Sequence, residues 1–186
     1  MSSPASTSDL YKLQKEQELH DDLIVTNMSE SYDNLNLKVY ASFIFHQEYC
    51  PMAQFLMKVD GDVAVHLDRM DKLWKRTDRA SQSIFCLVCA KSKPERNSSH
   101  KWFLSYDDWS QPFYPPFCSG PMYVMGKDAG WRILSSAHLF APLRLEDVLF
   151  TGIIAEKVNV PRENWKDNVL LIWGSFSVCL ITANFT

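Results

Sequence analysis

The chain has 186 residues, 46% of them hydrophobic and 13% aromatic, which is enough to bury one core and too apolar for a disordered chain. Its net charge of -3 excludes a basic field that would capture nucleic acid at long range, so no nucleic-acid partner is expected. The polar start MSSPASTSDLYKLQKEQ is neither a signal peptide nor an anchor. The apolar run Val169 to Ala183 is 15 residues long and contains Gly174 and two serines. That is short of the roughly 20 residues of a spanning helix, so it reads as a core strand or strand pair.

Residues 1–8 read as a disordered lead. Asp9 to His20 is charged and helix-compatible, with Leu10, Leu13 and Gln17 on one side, and Asp22 to Val25 is a short strand candidate. Ser31 to Glu48 has helical spacing through Tyr32, Leu35, Val39, Ser42 and Phe43, with Ser31 as its cap. Ala53 to Val59 is an apolar strand ending in Asp60-Gly61-Asp62. Leu67 to Trp74 has helical spacing, Ile84 to Ala90 is a buried strand, and Lys91 to Ser99 is a polar loop. Trp102 to Tyr106 is a further strand candidate, and Gln111 to Cys118 is a loop because of Pro112, Pro115 and Pro116. Tyr114 to Gly126 suits either a binding wall or a rigid connection over the core. Asp128 to Ser136 and Glu146 to Lys157 are helices, the second with Val148, Ile153 and Ile154 as its apolar positions. Alternating strands and helices predict an α/β domain whose ligands bind beyond the carboxyl ends of the strands.

Five cysteines, Cys50, Cys86, Cys89, Cys118 and Cys179, leave at least one without an intrachain partner. CLVC at Cys86–Cys89 is a weak zinc or redox signal without a second pair, and buried thiols or a disulfide are favoured over metal. Asp60 and Asp62 present two hard carboxylates from one turn, a pattern that suits Mg²⁺ or Mn²⁺ shared with a diphosphate and equally suits a plain turn. Glu146-Asp147 stands at a helix start, where carboxylates offset free N–H groups or serve as a general base.

Several blocks together resemble a known family. Asp22-Leu23-Ile24, Ser31-Tyr32 and Asn34-Leu35-Asn36-Leu37-Lys38 are similar to a D-I-I … S-Y-x-N-L-T-L-K block. Cys50-Pro51, Phe55 and Lys58-Val59-Asp60-Gly61-Asp62-Val63 look like C-P … F-x-x-K-x-D-D-D-V. Lys101-Trp102, then Tyr114-Pro115-Pro116-Phe117-Cys118-Ser119-Gly120-Pro121 and Tyr123, look like K-W … Y-P-P-Y-C-S-G-x-x-Y. Glu146-Asp147-Val148 and Thr151-Gly152 look like E-D-V … G. In this order and spacing they resemble the β-1,3-galactosyltransferase family, glycosyltransferase family 31, and its divergent invertebrate members in particular.

The resemblance implies a GT-A fold, a Rossmann-like mixed sheet flanked by helices, over residues 9–165. It implies inverting transfer of a hexose or N-acetylhexosamine from a UDP-sugar to a glycoprotein or glycolipid acceptor, forming a β-1,3 linkage with Mn²⁺ or another divalent metal. The metal would fall to Asp60 and Asp62, the general base to Asp147 beside Glu146, and the substrate pocket to Lys58, Tyr114, Cys118, Ser119 and Gly120. Family members are anchored in the Golgi membrane and work on its lumenal side. Sequons at Asn27, Asn97 and Asn184 fit such a compartment. Two departures stand out. The family's central aspartate is Gly61 here, and an aromatic position after Val63 is Ala64. Little precedes the Asp22 block, so the resemblance implies a chain shortened at its front, without the first strand, and residues 166–186 form a divergent end. An inactive relative that binds glycan or protein is the alternative.

Overall fold

The computed structural model describes residues 6–29, 31–67, 70, 78–172 and 178–181, with the backbone alone for 168–172 and 178–181. The first helix, α1 (Thr7–His20), owes its ends to local chemistry. Ser6 Oγ accepts from the Asp9 N–H at 3.1 Å, and Asp21 closes the helix in a left-handed conformation. It buries no residue, so Leu10, expected on an apolar side, is 43% exposed. Asp22–Val25, expected as a strand, is irregular, with Ile24 and Val25 exposed. An apolar dipeptide without a ladder to join does not make a strand.

Ser31 caps as expected, but through a 3₁₀ turn at Tyr32–Asn34 that leads into α2 (Leu35–Tyr49). Its buried positions Asn36, Val39, Phe43 and His46 recur three or four apart and form one face. Phe43 packs edge-on against Phe150 at 5.1 Å. The helix predicted over Leu67 to Trp74 lies largely outside the described residues; Met70 is described and fully buried.

The main sheet contains β1 (Phe55–Val59), β2 (Ile84–Cys89), β3 (Phe117–Gly126) and β4 (Arg162–Asn164), in the order β1-β3-β2-β4. β3 runs antiparallel to both β1 and β2, and β4 pairs parallel with β2. β1 and β2 therefore end at the same edge, where Asp60 and Cys89 meet the start of β3. Side chains alternate across the sheet. Ile84, Cys86, Tyr123 and Met125 join the core under α2 and α3 (Lys127–Ala137), whereas Phe85, Met122 and Val124 pack on the other face with Met70 and Trp165.

Of Tyr114–Gly126, expected as a binding wall or a rigid connection, Phe117–Gly126 is the strand β3, and Tyr114, Phe117, Ser119, Gly120 and Pro121 border a cavity. Pro121 is tolerated because it stands opposite Asp60, just past the Val59↔Met122 pair that ends the β1 ladder, in the stretch where the register against β2 also shifts. The Pro121 carbonyl accepts from the Asp60 N–H at 2.9 Å and fixes the turn after β1. Cys86 bonds to Cys118, tying β2 to β3, and Cys50 and Cys89 are free thiols. Trp102–Tyr106 is not a strand; Phe103 makes one isolated bridge to Glu95. Arg96 holds that loop instead, donating to the carbonyls of Leu104, Ser105 and Trp109 at 2.6–2.7 Å.

The helix expected over Glu146 to Lys157 is mostly a π-helix, Val148–Ile154, continued by one α-turn at Ala155–Lys157. Such widened turns are rare and occur often at functional sites. Val148 and Ile154 are buried as their spacing predicts. The apolar end forms a pair of antiparallel strands, β5 (Val169–Ile172) and β6 (Val178–Ile181), in agreement with the strand-pair expectation. Among the described residues no helix is long and apolar enough to cross a membrane.

Candidate functional site

A cavity of about 540 Å³ opens at the sheet edge where β1 and β2 end. Its wall includes Lys58, Asp60, Asp62, Tyr114, Ser119, Gly120, Glu146 and Asp147, which come from β1, its following turn, β3 and the start of the π-helix. Of the sequence-predicted pocket residues, Cys118 is the exception. It is fully buried and bonded to Cys86, because the alternation of β3 turns it into the core while Ser119 faces the cavity.

Glu146 and Asp147 are adjacent but differently placed. Glu146 is 2% exposed and accepts from the Tyr123 hydroxyl at 2.8 Å. Asp147 is partly exposed, and its Oδ1 accepts from the Val148 N–H at 2.9 Å. A Cβ on Gly120 would stand 2.9 Å from Asp147 Oδ2, so a residue without a side chain is what lets the carboxylate approach β3. Thr151 aligns the two elements: its hydroxyl donates to the Asp147 carbonyl at 2.5 Å and accepts from the Cys118 N–H at 2.8 Å. Arg162 secures the same helix by donating to the Thr151 carbonyl at 3.1 Å.

Burial pushes Glu146 up to about 7, reinforced by the charge of Asp147 and opposed by Lys58 and the Tyr123 hydroxyl. Burial also raises Asp147, against the pull of backbone N–H groups and Lys58. Tyr123, buried against these carboxylates, is raised well above its ordinary value. For Lys58 burial works against the charged form, but Glu146 and Asp60 outweigh it and the ammonium is held above its usual value. Because the folded state raises Glu146, it binds that proton more tightly than the unfolded chain. The associated stability is fully present below pH 4.5 and is lost as pH rises through about 7. Urea unfolding of wild-type and Glu146→Gln proteins should therefore diverge by about 3 kcal/mol between those limits. Parallel stability curves would show that Glu146 is not the titrating group.

Asp60 and Asp62 occupy the turn at the cavity rim, with Asp60 Oδ1 2.5 Å from Lys58 Nζ. Nothing lies within 4 Å of a Cβ built on Gly61, so the position where the resemblance implies a third aspartate is open. Among the described residues no group of three or more His, Cys, Asp or Glu could hold a metal ion. The half-exposed Asp60, whose Oδ2 is not engaged by Lys58, and the exposed Asp62 on one turn do fit an ion of the Mg²⁺ or Mn²⁺ type, which takes one or two carboxylates and completes its shell with water and phosphate oxygens.

Another part of the wall is aromatic. Tyr32, Trp102, Tyr114 and Phe117 line it, with Lys101 over the Trp102 ring at 4.9 Å. Tyr114 is 6% exposed, its hydroxyl has no hydrogen-bond partner, and burial pushes it up to about 12. Tyr32, Cys89, Tyr123 and Thr151 were not singled out from the sequence as site residues. Thr151 had a readable signal, since a Thr four residues after Asp147 can return its hydroxyl to that carbonyl. Of the sequons, Asn27 and Asn97 are exposed, and Asn184 lies outside the described residues.

Residues 3–166 match the family model described as Galactosyltransferase. The chain is 29% identical over 182 residues to beta-1,3-galactosyltransferase 5 of Homo sapiens, covering 97% of this chain and 58% of that protein. It is 30% identical over 149 residues to beta-1,3-galactosyltransferase 1 of Mus musculus, covering 80% and 45%. A lactosylceramide 1,3-N-acetyl-beta-D-glucosaminyltransferase of Homo sapiens is 29% identical over 152 residues, covering 80% and 40%. The chain thus spans 40–58% of the length of these curated relatives. Its mixed sheet flanked by helices is the GT-A, Rossmann-like arrangement of glycosyltransferases. With the match running over residues 3–166, the chain belongs to the galactosyltransferase family.

Proposed function

We propose that the protein transfers a hexose or N-acetylhexosamine from a UDP-sugar to a glycan hydroxyl, with inversion and formation of a β-1,3 linkage. The observation that carries the reading is the single cavity wall shared by Asp60, Asp62 and Asp147. Asp147 reaches the cavity and is the general base; Glu146, buried behind it, shapes its field. As the acceptor oxygen forms its bond to the anomeric carbon, Asp147 takes the hydroxyl proton. The bond from that carbon to the diphosphate oxygen breaks, and its electron pair leaves with UDP. Asp60 and Asp62 would hold a divalent ion, which supplies positive charge to the departing diphosphate. Ser119 and Gly120 line the wall between the two ends, and the Tyr114 ring borders it.

The Cys86–Cys118 disulfide and the exposed sequons at Asn27 and Asn97 support an oxidising, lumenal setting such as the Golgi, with a glycoprotein or glycolipid as acceptor. The names of the relatives, galactosyl- and N-acetylglucosaminyltransferases, support the donor class.

Calorimetric titration of the 186-residue chain with UDP tests the donor end. Binding with Mn²⁺ should vanish on chelation, and Asp62→Ala should weaken it by at least about tenfold. That variant should keep its Tm within about 2 °C, because the side chain sits on an exposed turn. A folded chain that ignores UDP under both conditions would favour the non-catalytic, glycan- or protein-binding alternative.

A further inference from the structure

We infer that Lys58 is a positioning residue, a strut between the Asp60 turn and Glu146, and that it does not hold substrate. The roles of the two ends it joins rest on the reading above; the strut itself rests on the geometry. A lysine ammonium has three N–H donors. Here two are taken by hydrogen bonds to Asp60 Oδ1 at 2.5 Å and to the Gly120 carbonyl, and the ammonium forms an ion pair with Glu146 Oε1 at 3.4 Å. The acceptors come from the turn after β1, the irregular stretch of β3, and the residues that open the π-helix. The Lys58 side chain is 14% exposed, so most of it is packed although it borders the cavity. Two hydrogen bonds and a close ion pair within the protein commit most of this ammonium to tying the three stretches together. One ammonium thus links the turn that would carry the ion to the acid pair that would carry the proton.

The chemistry of Glu146 makes the inference testable without turnover. Its side chain is 3% exposed and Lys58 is the cation facing it, so removing Lys58 alone leaves Glu146 either an uncompensated buried carboxylate or forced to take up a proton, at a cost either way when the solution pH is above 7. Removing both charges leaves a neutral amide that still accepts from Tyr123. Thermal unfolding of the ligand-free chain is measured at about pH 8.5, where Glu146 of the wild type is ionised, for Lys58→Met, Glu146→Gln and the double variant. Lys58→Met should lower Tm by roughly 5 °C, and the double variant should regain about half of that loss or more. A double-variant loss equal to the sum of the single losses would overturn the strut. Should Lys58→Met not fold, a folded double variant gives the same support, and an unfolded double variant overturns the inference. Because no transfer is involved, this result stands apart from the fate of the glycosyltransferase reading.

Where transfer is measured, Lys58→Met should lower kcat by about tenfold or more and leave the donor KM within about threefold. Lys58→Arg should recover part of the rate, since the charge returns but the planar fork cannot meet three separated acceptors equally. A donor KM raised about tenfold with kcat and Tm intact would instead make Lys58 a substrate contact.

Discussion

Asp147→Asn should lower the transfer rate by roughly 10²–10⁴-fold while leaving UDP affinity unchanged within about threefold. The substitution is nearly isosteric. The amide oxygen can still accept from Val148 and the side chain keeps its size beside Gly120, so the start of the π-helix should hold its shape even though an NH2 replaces the oxygen that faces the Gly120 N–H. What disappears is the capacity to accept a proton. Burial raises Asp147 above the ordinary carboxylate range, which makes it a stronger base when ionised and moves the acidic limb of the rate profile to higher pH. The base works only when deprotonated, so activity should fall as pH drops through that limb, and the limb should be missing from the residual rate of the variant. Steady-state kinetics across pH, combined with UDP calorimetry, separates the outcomes. Transfer within about tenfold of wild type would move the base elsewhere, and Glu146 would be a poor successor because it is 2% exposed.

The parts of this fold that were legible in the sequence are those where one local rule acts alone. The helical period through Val39 and Phe43 survives because that face packs on the sheet, and the run at Ile84–Cys89 survives because both of its faces are buried. Asp22–Val25 and Trp102–Tyr106 carry strand-forming residues, but strand formation needs a partner that composition cannot reveal. β3 was hidden for the opposite reason. Gly120 and Pro121 usually interrupt strands, and here they mark the irregularity at which a central strand changes register. The carboxylates at positions 60, 62, 146 and 147 could be found because acidic pairs at element ends are visible as text. Lys58 could not be understood that way, since its acceptors come from three separated stretches of chain. The same holds for Cys118, whose partner lies 32 residues away and whose side of the strand depends on a ladder the text does not show.

That disulfide carries the other large expected effect. Reducing it, or replacing the pair as Cys86→Ala with Cys118→Ala, should lower Tm by roughly 8–16 °C, because opening a 32-residue loop costs about 4 kcal/mol. Both sulfurs are fully buried, so the alanine pair also leaves unfilled core, and its loss should be at least as large as that on reduction. Calorimetric scans with and without reductant measure the first case, and scans of the double variant measure the second. A reduced chain that melts within about 3 °C of the oxidised one would mean that ladder and core already fix β2 against β3 without the bond. Below the melting range the site should suffer less than the stability. The Cys118 N–H remains held by the Thr151 hydroxyl, which also bonds the Asp147 carbonyl, so β3 keeps its alignment with the acid pair. UDP affinity of the folded, reduced protein should thus stay within about threefold, whereas Thr151→Val in the reduced background removes the second tie and should weaken it further. A binding loss that follows reduction alone would make the disulfide, and not Thr151, the element that seats Ser119 and Gly120 at the cavity wall.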